Sequence, residues 1–100
     1  MERFEILDAA KKCVCGDREE DYGSPERNFE VIAQMWSAYK NVLFTPVDVA
    51  LMMALLKIAR AASGRYKDDN AIDLAGYAAC AGELWSLVAE RPYTSTTSHH

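Results

Sequence analysis

Lys57-x-x-Arg60 and, a short way on, Asp69-Asn70-x-x-Asp73 carry the densest chemistry in the chain. Arginine presents a planar fork that suits two-point contact with phosphate oxygens, and lysine supplies a point charge. Asp69 and Asp73 are four residues apart, so on a helix they share a face. With Asn70 beside them they offer oxygen ligands of the kind Mg²⁺ takes. In a catalytic reading Asp73 and Asp69 hold the metal and a metal-bound water attacks. Lys57 and Arg60 then neutralise the charge that develops on phosphate, which makes Asp73, Lys57 and Arg60 the reacting set. A plainer reading stays open beside it. Arg60 and Asp73 would fall at nearly the same level of an antiparallel hairpin and form an ion pair that only locks it. Asp69 would then be an acidic residue favoured at a helix N-terminus.

The second cluster is Asp21-Tyr22-Gly23 followed by Asn28-Phe29. Tyr22 is placed to stack on a base, and Asn28 to read a base edge or bind a phosphate. Structurally, Tyr22 would pack back on the bundle and Gly23 would permit a turn. Asn70 and Tyr77 complete the expected ligand set of Lys57, Arg60, Tyr22, Asn28, Asn70 and Tyr77. Trp36, Tyr39 and Trp85 are assigned to the core by their helical spacing. Cys13, Cys15 and Cys80 do not form a zinc site, because no four-ligand Cys/His set exists and residues two apart on a helix diverge. An odd cysteine count without framework spacing suits a reducing cytosol. His99 and His100 look like the start of a tag.

Four helices must position these groups. The first spans about Glu2 to Cys15, with Ile6, Leu7, Ala10 and Val14 at helical spacing, and Gly16 ends it. A polar surface loop follows, and Ser24-Pro25-Glu26 starts the second helix, which fades near Asn41. Thr45-Pro46-Val47-Asp48 starts the third, with Asp48 placed for a capping box; Ser63-Gly64 stops it. The fourth runs from about Asp69 to Glu90, with Arg91-Pro92 as its end. The third helix is apolar almost all round, which marks the buried centre of a bundle or of an oligomer. Lys57 shares a side with Ala50, Ala54 and Ala61, small residues that leave room beside an ammonium. Asp73 shares its stripe with Gly76, Tyr77, Cys80, Leu84 and Leu87.

The 100 residues suit one all-α domain, a compact four-helix bundle over residues 1–92 with a frayed tail at 93–100. Half the residues are hydrophobic and 26% are charged, which suits a folded chain. A net charge of −4 argues against direct DNA or RNA binding, though not against a local basic pocket. The longest apolar run, Val49 to Leu56, falls far short of the roughly 20 residues that span a bilayer. A homo-oligomer, dimer or higher, is expected because the apolar third helix would otherwise be exposed.

Asp21-Tyr22-Gly23-Ser24-Pro25, Asn28-Phe29, Trp36, Thr45-Pro46-x-Asp48-Val49-Ala50-Leu51-Met52-Met53, Leu56-Lys57-Ile58-Ala59-Arg60 and Asp73-x-Ala75-Gly76-Tyr77 together resemble a phage and prophage all-α family. The match covers roughly residues 4 to 90. That family is in turn likened to MazG-like nucleoside triphosphate pyrophosphohydrolases, helical dimers or tetramers that use Mg²⁺. The resemblance implies a MazG-like bundle, a nucleotide phosphate ligand, and the cytoplasm of an infected or lysogenic bacterium. It departs from the enzyme pattern at one point. Those enzymes carry Glu-x-x-Glu on one helix and Glu-x-x-Asp on the next. Here Asn70-x-x-Asp73 is the nearest match to the second, and Lys57-x-x-Arg60 stands where the first would be. Two cations cannot ligate Mg²⁺, so two functions follow as alternatives: Mg²⁺-dependent hydrolysis, or a non-catalytic module for a nucleotide or a protein partner of the counter-defence type.

Overall fold

The computed structural model describes residues 1–16 and 24–89, and over them the chain forms four helices. These are α1 (Arg3–Cys15), α2 (Pro25–Lys40), α3 (Pro46–Ser63) and α4 (Asp68–Ala89). The expected all-α architecture is present, with no strand among the described residues. The polar loop with Tyr22 and the C-terminal tail lie outside them.

Local chemistry sets the boundaries. The Ser24 hydroxyl accepts a hydrogen bond from the Arg27 N–H at 3.2 Å, and Pro25 opens α2 with its φ already set. Asn41 caps the other end in the left-handed region (φ 56°, ψ 41°), where asparagine is among the few tolerated side chains. The connection to α3 is pinned from inside: the Phe44 N–H donates to the Ser37 hydroxyl at 2.8 Å. Phe44 also meets Trp36 edge-on, with ring centroids 5.9 Å apart. The predicted capping box of α3 is formed: Asp48 N–H donates to Thr45 Oγ1 at 3.1 Å, and Thr45 N–H to Asp48 Oδ2 at 2.9 Å. At α1 the Glu2 N–H donates to Glu5 Oε1 at 2.7 Å, a cap the sequence reading did not foresee.

The α3–α4 hairpin is the most extensive contact of the fold; α1 lies on α4, and α2 lies chiefly on α3. The core joins Phe29, Ala33, Val47, Val49, Ala50, Cys80, Ala81 and Leu84. Most of these are small, so the helix backbones come close. Gly76 shows how close, because a Cβ there would stand 3.1 Å from Val14 Cγ1.

Two assignments to the core, Tyr39 and Trp85, need correction, and α3 is not the buried centre of a bundle within this one chain. On α3 only Val47, Val49, Ala50 and Ala54 are buried, whereas Leu51, Met52, Leu55, Leu56 and Ile58 face outward. α2 and α4 cover one side of α3, and within this chain no described helix covers the other. Tyr39 is 85% exposed, since ten residues after Phe29 the 100° helical step has turned it well off the Phe29–Ala33 line. Trp85 is 64% exposed for a similar reason: it follows buried Leu84 by one step of rotation. Trp36 is half-buried against Phe44, as helical spacing suggested. Replacing Thr45 by Ala should lower stability by about 1 kcal/mol, and Thr45→Ser by much less, read as shifts in the urea midpoint at constant slope.

Candidate functional site

α3 and α4 bring their charged residues together where the hairpin turns. Lys57 Nζ lies 2.8 Å from Asp73 Oδ2, and the two side chains are 13% and 35% exposed. This is the ion pair of the hairpin, and it corrects the expected pairing of Arg60 with Asp73. The reason is angular. Lys57 lies on the α3 line of Ala50 and Ala54 that packs inward, whereas Arg60, three residues on, is rotated about 60° from it. Arg60 is exposed and stands at the rim of the same cleft.

That cleft, about 700 Å³, is lined by Lys57, Arg60, Gly64, Arg65, Lys67, Asp69, Asn70 and Asp73. Four cations therefore meet two carboxylates, in a chain whose net charge is −4. Lys57 and Asp73 satisfy each other; Arg60, Arg65 and Lys67 are exposed along the cleft. Arg65 and Lys67 escaped the sequence reading, which treated the turn as a connection. The signal was there in their place, three residues and one residue before Asp68, the first residue of α4. Next to them the Tyr66 hydroxyl donates to Asp68 Oδ1 at 2.8 Å, and this hydrogen bond raises the phenol above its ordinary pKa.

A second cleft, about 590 Å³, opens between α1, α2 and α4. Its walls are largely apolar, with Val14, Phe29, Ile32, Ile72 and Gly76 among them, and its polar members include Asn28, Arg27 and Asp73. Tyr77 lines it too, its ring 6.1 Å from that of Phe29. Cys80 closes one side. Burial pushes its thiol above the ordinary range, and the nearby Glu83 and Cys15 add to the shift, so this wall stays neutral.

The predicted ligand set is thus divided. Lys57, Arg60, Asn70 and Asp69 belong to the cationic cleft; Asn28 and Tyr77 belong to the apolar one; Asp73 lines both. Tyr22 lies outside the described residues. For Mg²⁺ the described donors fall short: Asp69, Asp73 and Asn70 give two carboxylates and an amide, and an ammonium sits on one of the carboxylates. Among the described residues no three His, Cys, Asp or Glu side chains are grouped to hold a metal ion. No described helix is long and apolar enough to cross a membrane.

Fold and clefts together define an all-helical domain with a charged and an apolar recess that share one carboxylate. By sequence the chain belongs to the family described as Domain of unknown function (DUF6378), which it matches over residues 5–85. It is 51% identical over 74 residues to the Gene 55 protein of Mycobacterium phage L5, a match covering 73% of this chain and 47% of that protein. It is 39% identical over 85 residues to the Gene 55 protein of Mycobacterium phage D29, covering 85% of this chain and 56% of that one. The chain thus spans about half the length of these curated relatives. Both are phage proteins, in line with the resemblance drawn from the motifs. No solved structure matches the chain.

A double-mutant cycle separates the two candidate ion pairs. Lys57→Met with Asp73→Asn should show a coupling of about 1–2 kcal/mol, between the values of exposed and buried pairs. Arg60→Met with Asp73→Asn should stay under about 0.5 kcal/mol. Urea unfolding of the four proteins in each cycle provides the measurement, and a larger Arg60 coupling would restore the sequence-derived pairing.

Proposed function

We propose that the cationic cleft binds the phosphate groups of a nucleotide, and that the domain acts by binding rather than by hydrolysis. The observation that carries this reading is the local charge: Lys57, Arg60, Arg65 and Lys67 face one recess of an otherwise acidic chain. Lys57 is held in place by Asp73, so its charge needs little ordering when an anion arrives. Arg60 and Arg65 supply planar donors at the rim. Binding needs only this much. Hydrolysis would need further acids to hold Mg²⁺, and the described donors include only two.

The hydrolytic reading keeps one specific support, the shared face of Asp69 and Asp73 beside phosphate-binding cations. In it Mg²⁺ would supply an activated water and charge neutralisation. Asp73, Lys57 and Arg60 would be the residues at the reacting phosphate, in the cytoplasm where nucleotides are found.

We also propose that the outward face of α3 pairs with a second copy of this chain. Leu51, Leu55 and Ile58 form one stripe and Met52 and Leu56 an adjoining one, each side chain between 38% and 62% exposed. Such a patch is of the order of a few hundred Å², at the upper end of what monomers carry. It supplies much of the apolar centre of a standard interface, about 800 Å² a side, and a two-fold pairing of helix with helix needs only this one surface.

Calorimetric titration with tripolyphosphate and with nucleoside triphosphates tests the first proposal. Binding should weaken steeply with added salt and fall about tenfold in Arg60→Ala. Lys57→Met should weaken it further, while circular dichroism confirms the helices are intact. Affinity indifferent to both substitutions would overturn the site. Phosphate or pyrophosphate release that needs Mg²⁺ and vanishes in Asp73→Asn would replace binding with hydrolysis. For the assembly, light scattering should give a dimer mass or a multiple of it, and Leu55→Glu should give a folded monomer. A monomeric parent chain at tens of micromolar removes that proposal.

A further inference from the structure

We infer that the apolar cleft between α1, α2 and α4 holds the nucleoside of the same ligand, so that the two clefts are the two halves of one nucleotide site. This rests on the phosphate reading above and adds to it a second binding site with its own residues.

The clefts adjoin, because Asp73 lines both. From Asp73, the next turn of α4 brings Gly76 and Tyr77 into the apolar cleft, so the two halves lie about one helical turn apart along a single helix face. A molecule filling both must therefore be an anion joined by a short spacer to a weakly polar, compact body. A sugar joining a phosphate to a base has that form. The lining then suits a base better than an aliphatic chain. Aromatic surface is present at Tyr77, whose ring meets that of Phe29 along the same wall. A half-buried amide, Asn28, offers both a donor and an acceptor to the edge of a ring. The size, about 590 Å³, falls within the range of small-molecule pockets, and so does the mix of apolar walls with a few polar groups.

Asp73 gains a function in this arrangement. Paired with Lys57, it forms a polar divide between the halves, with its oxygens placed where sugar hydroxyls would pass. An alkyl phosphate would leave Asn28 without a partner in the apolar half, which costs binding energy. The geometry thus favours a nucleoside 5′-phosphate over a lipid phosphate.

The test compares tripolyphosphate, nucleoside triphosphates and a short-chain alkyl phosphate on the intact protein. Nucleotides should bind at least about tenfold more tightly than tripolyphosphate. Cys13→Trp fills the apolar cleft from α1, away from every phosphate-facing cation. It should abolish the nucleotide advantage and leave tripolyphosphate affinity unchanged. Asn28→Ala makes no change of volume in the core and should reduce discrimination among bases more than overall affinity. Arg60→Ala should weaken tripolyphosphate and nucleotide by the same factor. Equal affinity for tripolyphosphate and nucleotides sinks the nucleoside cleft alone and leaves the phosphate reading standing; no binding of any phosphate sinks both. A nucleotide advantage that survives Cys13→Trp, or an alkyl phosphate that binds as well as nucleotides, also overturns the inference.

Discussion

The ion pair between Lys57 and Asp73 is the contact on which the arrangement of this molecule turns. It joins α3 to α4 at 2.8 Å, and it sits where the cationic recess and the apolar recess meet. A lysine side chain only 13% exposed carries a charge that is costly to desolvate unless a carboxylate compensates it. The pair therefore fixes the register of the hairpin: slip α4 by one residue and Asp73 rotates by 100°, away from Lys57. The same contact limits what Asp73 can do. A carboxylate already neutralised by a lysine is a weak metal ligand but a good divide between polar and apolar ground.

Small side chains make that contact possible. Ala50 and Ala54 flank Lys57 on the inward line of α3, and Gly76 and Cys80 continue the line of Asp73 on α4. With bulky residues at these positions the helix axes would stand further apart. The lysine would then have to reach across an apolar gap. Close packing has a consequence on the opposite side. Volume kept out of the core has gone to the surface, so Leu51, Leu55 and Ile58 lie outside while alanines lie inside. The same choice that places the ion pair leaves α3 with an uncovered apolar face.

The helices were legible because their punctuation is local. Ser24-Pro25 and Thr45-Pro46-Val47-Asp48 satisfy or remove the first N–H groups whatever the tertiary context, and their hydrogen bonds appear as read. Faces were legible where a stripe has one interpretation, as with Asp73, Gly76, Cys80 and Leu84. They failed where burial depends on how many neighbours a helix has. The all-round apolar pattern of α3 does not say how much of it one chain covers, and assigning Trp85 to the core overlooks that it stands one 100° step off the stripe of Asp73 and Leu84. Site residues divided in the same way. Lys57 and Asp73 carry chemistry that their position on a stripe makes visible, and which cation pairs with Asp73 depended on a 60° difference in rotation that a levelling argument ignores.

That difference bears on how a site of this kind can recognise a ligand. If Arg60 had paired with Asp73, the hairpin would have been locked by a guanidinium, the planar donor best suited to phosphate. Lys57 takes that pairing instead, and the guanidinium of Arg60 lies at the rim, where its planar donors suit the proposed phosphate contact. Arg65 and Lys67 extend the same field around the turn. Lys57 and Arg60, on successive turns of α3, thus differ in setting: the first is turned inward onto the carboxylate that lines both clefts, and the second stands exposed at the rim.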